Sequence, residues 1–235
     1  MAGPVALVGA GEFREVMDEF DRGLLEATGR SRPRVAVLPT ASWPDDEPEF
    51  RRSAQLAVEH FASLGAEVEP IFVRDRADAG DAAAIQAVGE ADLIYLCGGR
   101  SSHLVELLLT SPLGAEVRSA HQRGAVLAGC SAGASALAHR EAEIRRRMLP
   151  FPIRWRDALN VVPGLVVLPY HDRWPAPLVA MVALQAPRGG SVLGIDEETA
   201  VVGRDGSWQV HGRGSVTVWH GRRRERFRAG EAFRI

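Results

Sequence analysis

The sequence predicts an α/β three-layer sandwich, with a mostly parallel central sheet, helices on both faces, and short antiparallel strands near the C-terminal end. Two observations predict the layers. Short runs rich in Val, Ile and Leu alternate with longer stretches of helical period through the first half of the chain, the pattern of parallel strands covered on both sides. The last segments are instead short and close together, and Asp205-Gly206 between two of them is a hairpin signal.

In order, the strand candidates are Val5 to Gly9, Val35 to Pro39, Glu67 to Val73, Asp92 to Leu96 and Ala125 to Gly129. Helices are predicted over Phe13 to Ala27, Phe50 to Leu64 and Asp81 to Val88, with a pair of them across 103–123. In the first, Phe13, Val16, Met17, Phe20, Leu24 and Leu25 recur at three and four residues, which makes an apolar stripe that covers the sheet. Residues 140–160 lack clean periodicity and read as a long connection, with a short helix around Ala142 to Met148. A strand at Val161 to Leu168, a helix at Ala176 to Gln185 and a strand at Ser191 to Ile195 follow. Thr199 to Val202, Trp208 to His211 and Val216 to Trp219 are the antiparallel strands.

A chain of 235 residues is long enough for one well-buried core and short for two full domains, so a single domain over 1–235 is expected. Apolar types make up 46% and charged types 25%, the balance of a soluble globule. No apolar run reaches the roughly 18 residues of a spanning helix. The formal charge of -2 gives no electrostatic reason to expect nucleic acid or a membrane surface as partner. Arg145-Arg146-Arg147 and Arg222-Arg223-Arg224 read as solvated surface. Met1-Ala2-Gly3-Pro4 has neither a basic leader nor an apolar signal segment, and the only cysteines are Cys97 and Cys130, so a cytoplasmic protein with two small buried thiols is expected. No metal motif and no cofactor loop stands out. Gly9-Ala10-Gly11 resembles a dinucleotide loop but has Arg14 where the third glycine belongs, and reads as a tight turn.

The sharpest local signal is Gly129-Cys130-Ser131-Ala132-Gly133, where a strand runs through Gly-x-Ser-x-Gly into a helix. That spacing suits a nucleophile elbow, in which a strained central residue needs nearly bare neighbours so that strand and helix can approach. Ser131 is the candidate nucleophile and Cys130 its competitor, although Cys130 should point away if Ser131 points into the site. Serine needs a base. His171 follows a strongly apolar strand and is the first candidate, with His103 in reserve. A carboxylate should hold the imidazole's tautomer. Glu197 is the first candidate, and Asp196 and Asp172 are the alternatives. The backbone amides of Gly99 and Ala132 are the natural oxyanion donors, one from the Gly98-Gly99 turn and one from the helix start. Arg100 or Arg173 could clamp a substrate carboxylate.

Gly129-Cys130-Ser131-Ala132-Gly133-Ala134, Gly98-Gly99 and Gly194-Ile195-Asp196-Glu197-Glu198-Thr199-Ala200 together resemble the aspartyl dipeptidase (dipeptidase E) and cyanophycinase family of serine peptidases. The resemblance spans roughly residues 5 to 220 and implies a flavodoxin-like, class I glutamine amidotransferase-like sandwich. Carried across residue by residue, the family nucleophile falls on Ser131, its histidine on His171, the cyanophycinase glutamate on Glu197 and the oxyanion turn on Gly98 and Gly99. It implies a serine hydrolase that cleaves peptide or isopeptide bonds of short, Asp-containing peptides, with a small peptide as its partner. Cyanophycinases place a glutamine after the glycine pair and an arginine-rich segment after the histidine. Here those stretches are Arg100-Ser101-Ser102-His103 and Asp172-Arg173-Trp174-Pro175, so polymer specificity does not carry across.

Three rivals remain open. A glutaminase would use cysteine at the elbow centre and glutamate two positions after the histidine, where this chain has Ser131 and Arg173. An esterase shares the nucleophile logic, but the usual α/β-hydrolase order puts the acid before the histidine. A non-catalytic ligand-binding protein could use the same sandwich. A homodimer is compatible with the sequence, and no segment identifies its interface.

Overall fold

A computed structural model of the chain describes residues 1–143 and 152–235. The main sheet has eight strands. Its parallel part is built from β1 (Val5–Val8), β2 (Arg34–Leu38), β3 (Glu67–Pro70), β4 (Leu93–Leu96) and β5 (Val126–Cys130). Both faces of β1, β4 and β5 are buried, as continuous runs such as Leu-Ile-Tyr-Leu require. The covering helices are α1 (Asp18–Ala27), α2 (Glu47–Ser63), α3 (Ala82–Gly89), α4 (Ser101–Thr110) and α5 (Pro112–Arg123). Apolar clusters lie on the two sides of the sheet, one around Leu7, Ile94, Leu96 and Leu127, the other around Val8, Phe61, Tyr95 and Cys130.

The short α6 (Ala132–Leu137) leaves the end of β5. A small hairpin, β6 (Arg140–Ala142) with β7 (Trp155–Asp157), then precedes β8 (Leu165–Leu168), α7 (Ala176–Leu184) and β9 (Ser191–Ile195). Next come β10 (Thr199–Arg204), β11 (Ser207–Gly212), β12 (Ser215–His220), β13 (Arg223–Arg228) and β14 (Ala232–Arg234). The sandwich class agrees with the sequence reading, and the strand allocation refines it. β10, β11 and β14 extend the main sheet antiparallel from β1, in the order β14-β11-β10-β1-β5-β4-β2-β3, whereas β8 and β9 join a second sheet, β13-β12-β9-β8. The chain thus crosses from one sheet to the other between Ile195 and Thr199.

Two local expectations change. The first cover helix begins at Asp18 after a single 3-10 turn, Glu15–Met17, because Phe13 adopts a φ of 61° that no helix continues through. The predicted helix around Ala142 to Met148 lies mostly outside the described residues, and its first residue, Ala142, ends β6.

Candidate active site

Ser131 stands between β5 and α6 with φ 51° and ψ −107°, and its N–H is anchored on the Val8 carbonyl at 2.9 Å. A non-glycine residue with this backbone is strained, and the neighbouring glycines permit it. A Cβ on Gly129 would sit 2.5 Å from the Gly133 backbone, and one on Gly133 would sit 2.1 Å from the Leu96 carbonyl oxygen. The Gly-x-Ser-x-Gly spacing therefore builds the elbow geometry. Cys130 is buried behind it, and burial, helped by the nearby Glu12 carboxyl, pushes its thiol well above the usual range. A thiolate there is strongly disfavoured. Cys97 is also a free, buried thiol.

Ser131 opens on a cavity of about 200 Å³ lined also by Gly11, Glu12, Gly98, Gly99 and Tyr170, together with Ser42, Asp45, Glu49 and Ser53. A larger cavity of about 380 Å³, lined by His121, Trp208 and Ile235 among others, lies at the amino ends of the parallel strands, away from the elbow. Gly99 has φ 137°, and a Cβ there would lie 2.3 Å from the Ala41 carbonyl, so the turn accepts no side chain. Among the described residues, neither the Gly99 nor the Ala132 N–H has a hydrogen-bond acceptor, whereas the Gly98 N–H donates to Glu12 Oε1 at 3.2 Å.

His171 opens a 3-10 turn, His171–Arg173, just beyond β8, after Tyr170 in the left-handed region at φ 53°. Its imidazole lies on β9 at Gly194, where a Cβ would come within 2.2 Å of the ring. The carboxylate that meets it is Asp196, with Oδ1 at 3.1 Å from Nδ1. This corrects the placement of Glu197 against the ring. Asp196 turns inward because Ser215, at the start of β12, exchanges backbone bonds with it and adds its own hydroxyl: Asp196 N–H donates to the Ser215 carbonyl at 3.1 Å, and Asp196 Oδ2 accepts Ser215 N–H at 3.0 Å and Oγ–H at 2.6 Å. Glu197 turns outward, pairing with Arg173 and lying 3.8 Å from Arg14. Asp172 is also engaged elsewhere, accepting the Glu197 N–H at 2.8 Å. Burial works against the charge on Asp196, but the bonds from His171 and Ser215 outweigh it and hold the carboxyl below the ordinary aspartate value.

Ser131 and His171 are not hydrogen-bonded to each other in this structure. Tyr170, adjacent to His171, lines the same cavity as Ser131, and burial raises its phenol while the nearby Ser131 hydroxyl opposes the rise. Catalytic contacts in ligand-free sites are often made only when substrate arrives. Arg100 pairs with Asp45 at 2.8 Å, and Arg173 pairs with Glu197 and lies 6.0 Å from the Tyr170 ring centre, so each guanidinium is already bound to a carboxylate and neither lines the Ser131 cavity itself. His103 lines a different hollow with Glu141 and Arg156.

Glu12 is the residue that sequence reading missed. Its Oε2 is buried without a partner, and burial raises the carboxyl to about 7, against the lowering effect of the Gly98 amide. Only its place directly after the Gly9-Ala10-Gly11 turn hinted at a site role.

The model of peptidase family S51 matches residues 5–211. The chain belongs to peptidase family S51. The S51 chain is 29% identical over 225 residues to cyanophycinases from Trichormus variabilis and Nostoc sp., covering 91% of this chain and 72% of those proteins. It is 31% identical over 196 residues to the cyanophycinase of Synechococcus elongatus, covering 78% of this chain and 58% of that one. Among solved structures, a peptidase from an acI-B1 actinobacterium superposes with a TM-score of 0.89 at 28% identity, covering 100% of this chain and 98% of that one. A Listeria monocytogenes EGD-e structure named for peptidase E shares the fold, with a TM-score of 0.63 at 16% identity over 91% of this chain and 100% of its own. This S51 protein is thus a serine-type peptidase. No helix among its described residues is long and apolar enough to cross a membrane.

Proposed function

We propose that this peptidase cleaves short, Asp-containing peptides through an acyl-enzyme on Ser131, with His171 as general base and Asp196 as the carboxylate that orients it. The observation that carries this reading is the Ser131 backbone, whose strain presents a hydroxyl to a cavity beside two unpartnered amides. On substrate binding, the Ser131 hydroxyl turns to His171 Nε2, which takes its proton as Oγ attacks the carbonyl carbon. Negative charge develops on the carbonyl oxygen and is met by the Gly99 and Ala132 N–H groups. The imidazolium, held through Nδ1–H by Asp196, gives the proton to the leaving amine. Water, deprotonated by the same imidazole, then releases the acid and restores Ser131. The chemistry consumes only water, and neither metal nor cofactor enters any step.

A substrate carboxylate would bind by exchanging against Asp45 at Arg100 or against Glu197 at Arg173. A second reading, hydrolysis of an isopeptide bond, is favoured by the likeness to cyanophycinases, and the same machinery serves it. Digestion of a peptide library that includes β-aspartyl isopeptides tests both. New termini formed by the wild type and absent with Ser131→Ala support the reading, and their sequences separate peptide from isopeptide cleavage. Equal turnover by Ser131→Ala would overturn the acyl-enzyme, and loss with Cys130→Ala alone would move the nucleophile to Cys130. Turnover of esters but of no peptide would replace the peptidase assignment of the site with an esterase one.

A further inference from the structure

We propose that Ser215 and Arg226 are positioning residues of the hydrolytic site, forming a one-way hydrogen-bond relay that fixes Asp196 against His171. The inference rests on the reading of His171 and Asp196 as the proton-handling pair. Both residues lie beyond the segment matched by the family model, which ends at residue 211.

The direction of the relay follows from donor counting. Arg226 Nε lies 2.6 Å from Ser215 Oγ, and a guanidinium has only N–H donors, so Ser215 must accept there. The single hydroxyl proton of Ser215 is then directed to Asp196 Oδ2, 2.6 Å away. The Ser215 N–H adds a second donor at 3.0 Å, and Arg226 Nη2 lies 3.5 Å from the same oxygen. Oδ2 is thereby saturated and Oδ1 is left facing Nδ1 of His171 at 3.1 Å. Strand register makes the arrangement reachable. Arg226 is paired with Thr217 across β12 and β13, which puts it diagonal to Ser215, a span a long side chain covers. Ser215 is buried, whereas the Arg226 side chain is 67% exposed, so substitution of the arginine leaves the core untouched. The other charges nearby are engaged elsewhere: Arg173 with Glu197, Asp172 with the Glu197 amide, and Arg14 and Arg213 with Glu198.

The test combines a probe-free signature with nucleophile reactivity. In proton NMR the His171 Nδ1–H resonance, assigned by its absence in His171→Gln, should move upfield or vanish in Arg226→Met and Ser215→Ala. It should stay in place in Arg224→Met, a change on the same strand. The limiting rate of Ser131 inactivation by a fluorophosphonate should fall about tenfold in each of the two variants, the worth of one hydrogen bond to a charged group, with the half-saturating probe concentration unchanged. Ser215→Thr and Arg226→Lys should recover part of the rate. Because Arg226 acts mainly through Ser215, with only a longer direct contact to Asp196, the double variant should be slower than Ser215→Ala alone by much less than the Arg226→Met factor. An unmoved resonance with a wild-type rate in Arg226→Met would overturn the relay, as would losses that simply multiply. Wild-type inactivation of Asp196→Asn would instead overturn the underlying pair, a result separable from failure of the relay alone.

Discussion

Two histidine–aspartate pairs are hydrogen-bonded among the described residues, and their carboxylates behave in opposite ways. His60 Nε2 meets Asp21 Oδ2 at 2.8 Å between α1 and α2, and His171 Nδ1 meets Asp196 Oδ1 at 3.1 Å. Both aspartates are buried. Burial raises Asp21 above its ordinary value, with Asp18 adding to the rise and the His60 hydrogen bond only partly opposing it. For Asp196, burial is outweighed by hydrogen bonds from His171 and Ser215. The shorter contact therefore belongs to the carboxyl less disposed to ionise. What separates them is the number of donors besides the imidazole: Asp196 has the two from Ser215 and the nearby Arg226, while for Asp21 the only hydrogen bond among the described residues is from His60, a ring enclosed by Phe13 and Phe61. An imidazole–carboxylate contact by itself does not mark a catalytic site. A carboxylate held ionised by further donors is the feature that suits one to stabilise an imidazolium.

The largest expected effect breaks the comparison outright. Asp196→Asn should lower peptide turnover by about a thousandfold or more, since the wrong tautomer is then held, while Asp21→Asn should leave turnover within about twofold. Peptide hydrolysis by the two purified variants checks this; equal losses would make both pairs structural.

Next in size is Glu12. A carboxyl raised from 4.5 to about 7 binds its proton more tightly in the folded chain. Its stabilising contribution is complete below 4.5 and disappears as pH rises to about 7, a change on the order of 3 kcal/mol. Urea unfolding between those limits should show the wild type losing stability relative to Glu12→Gln as pH rises.

The two aspartates should show smaller slopes of opposite sign. Asp21, raised, contributes fully below its ordinary value of 3.8 and loses that contribution as pH climbs above it. Asp196, lowered, contributes above 3.8 and loses it as pH falls below. Comparing each asparagine variant with wild type by urea unfolding at a series of pH values resolves the signs. The smallest effect concerns Tyr170→Phe, which removes a phenol that lines the cavity beside Ser131 and competes for its hydroxyl. Fluorophosphonate inactivation should quicken by about twofold to fivefold, within the worth of one neutral hydrogen bond.

Much of the fold is legible because buried parallel strands leave continuous apolar runs, and β1, β2, β4 and β5 fall on theirs. β13 is not legible: Arg223–Arg228 is an exposed strand whose sequence reads as solvated arginines, and only pairing with β12 makes it a strand. The elbow at Ser131 is legible because its steric demand is local, two glycines around one serine. The choice of Asp196 over Glu197 is not, since the side-chain directions after β9 are set by pairing with Ser215, nineteen residues away in sequence. Glu12 leaves only its place after the Gly9-Ala10-Gly11 turn as a trace, because the residues that enclose it, Gly98 and Cys130 among them, follow it in the chain.

Chain order gives that dependence on Ser215 a temporal meaning. A ribosome delivers the elbow and the imidazole before it delivers the strand pair that donates to Asp196. On the proposed mechanism, the nucleophile and its base would be made while the carboxylate that orients them still lacked its donors, so a nascent chain would reach full reactivity only once the hairpin carrying Ser215 and Arg226 had docked.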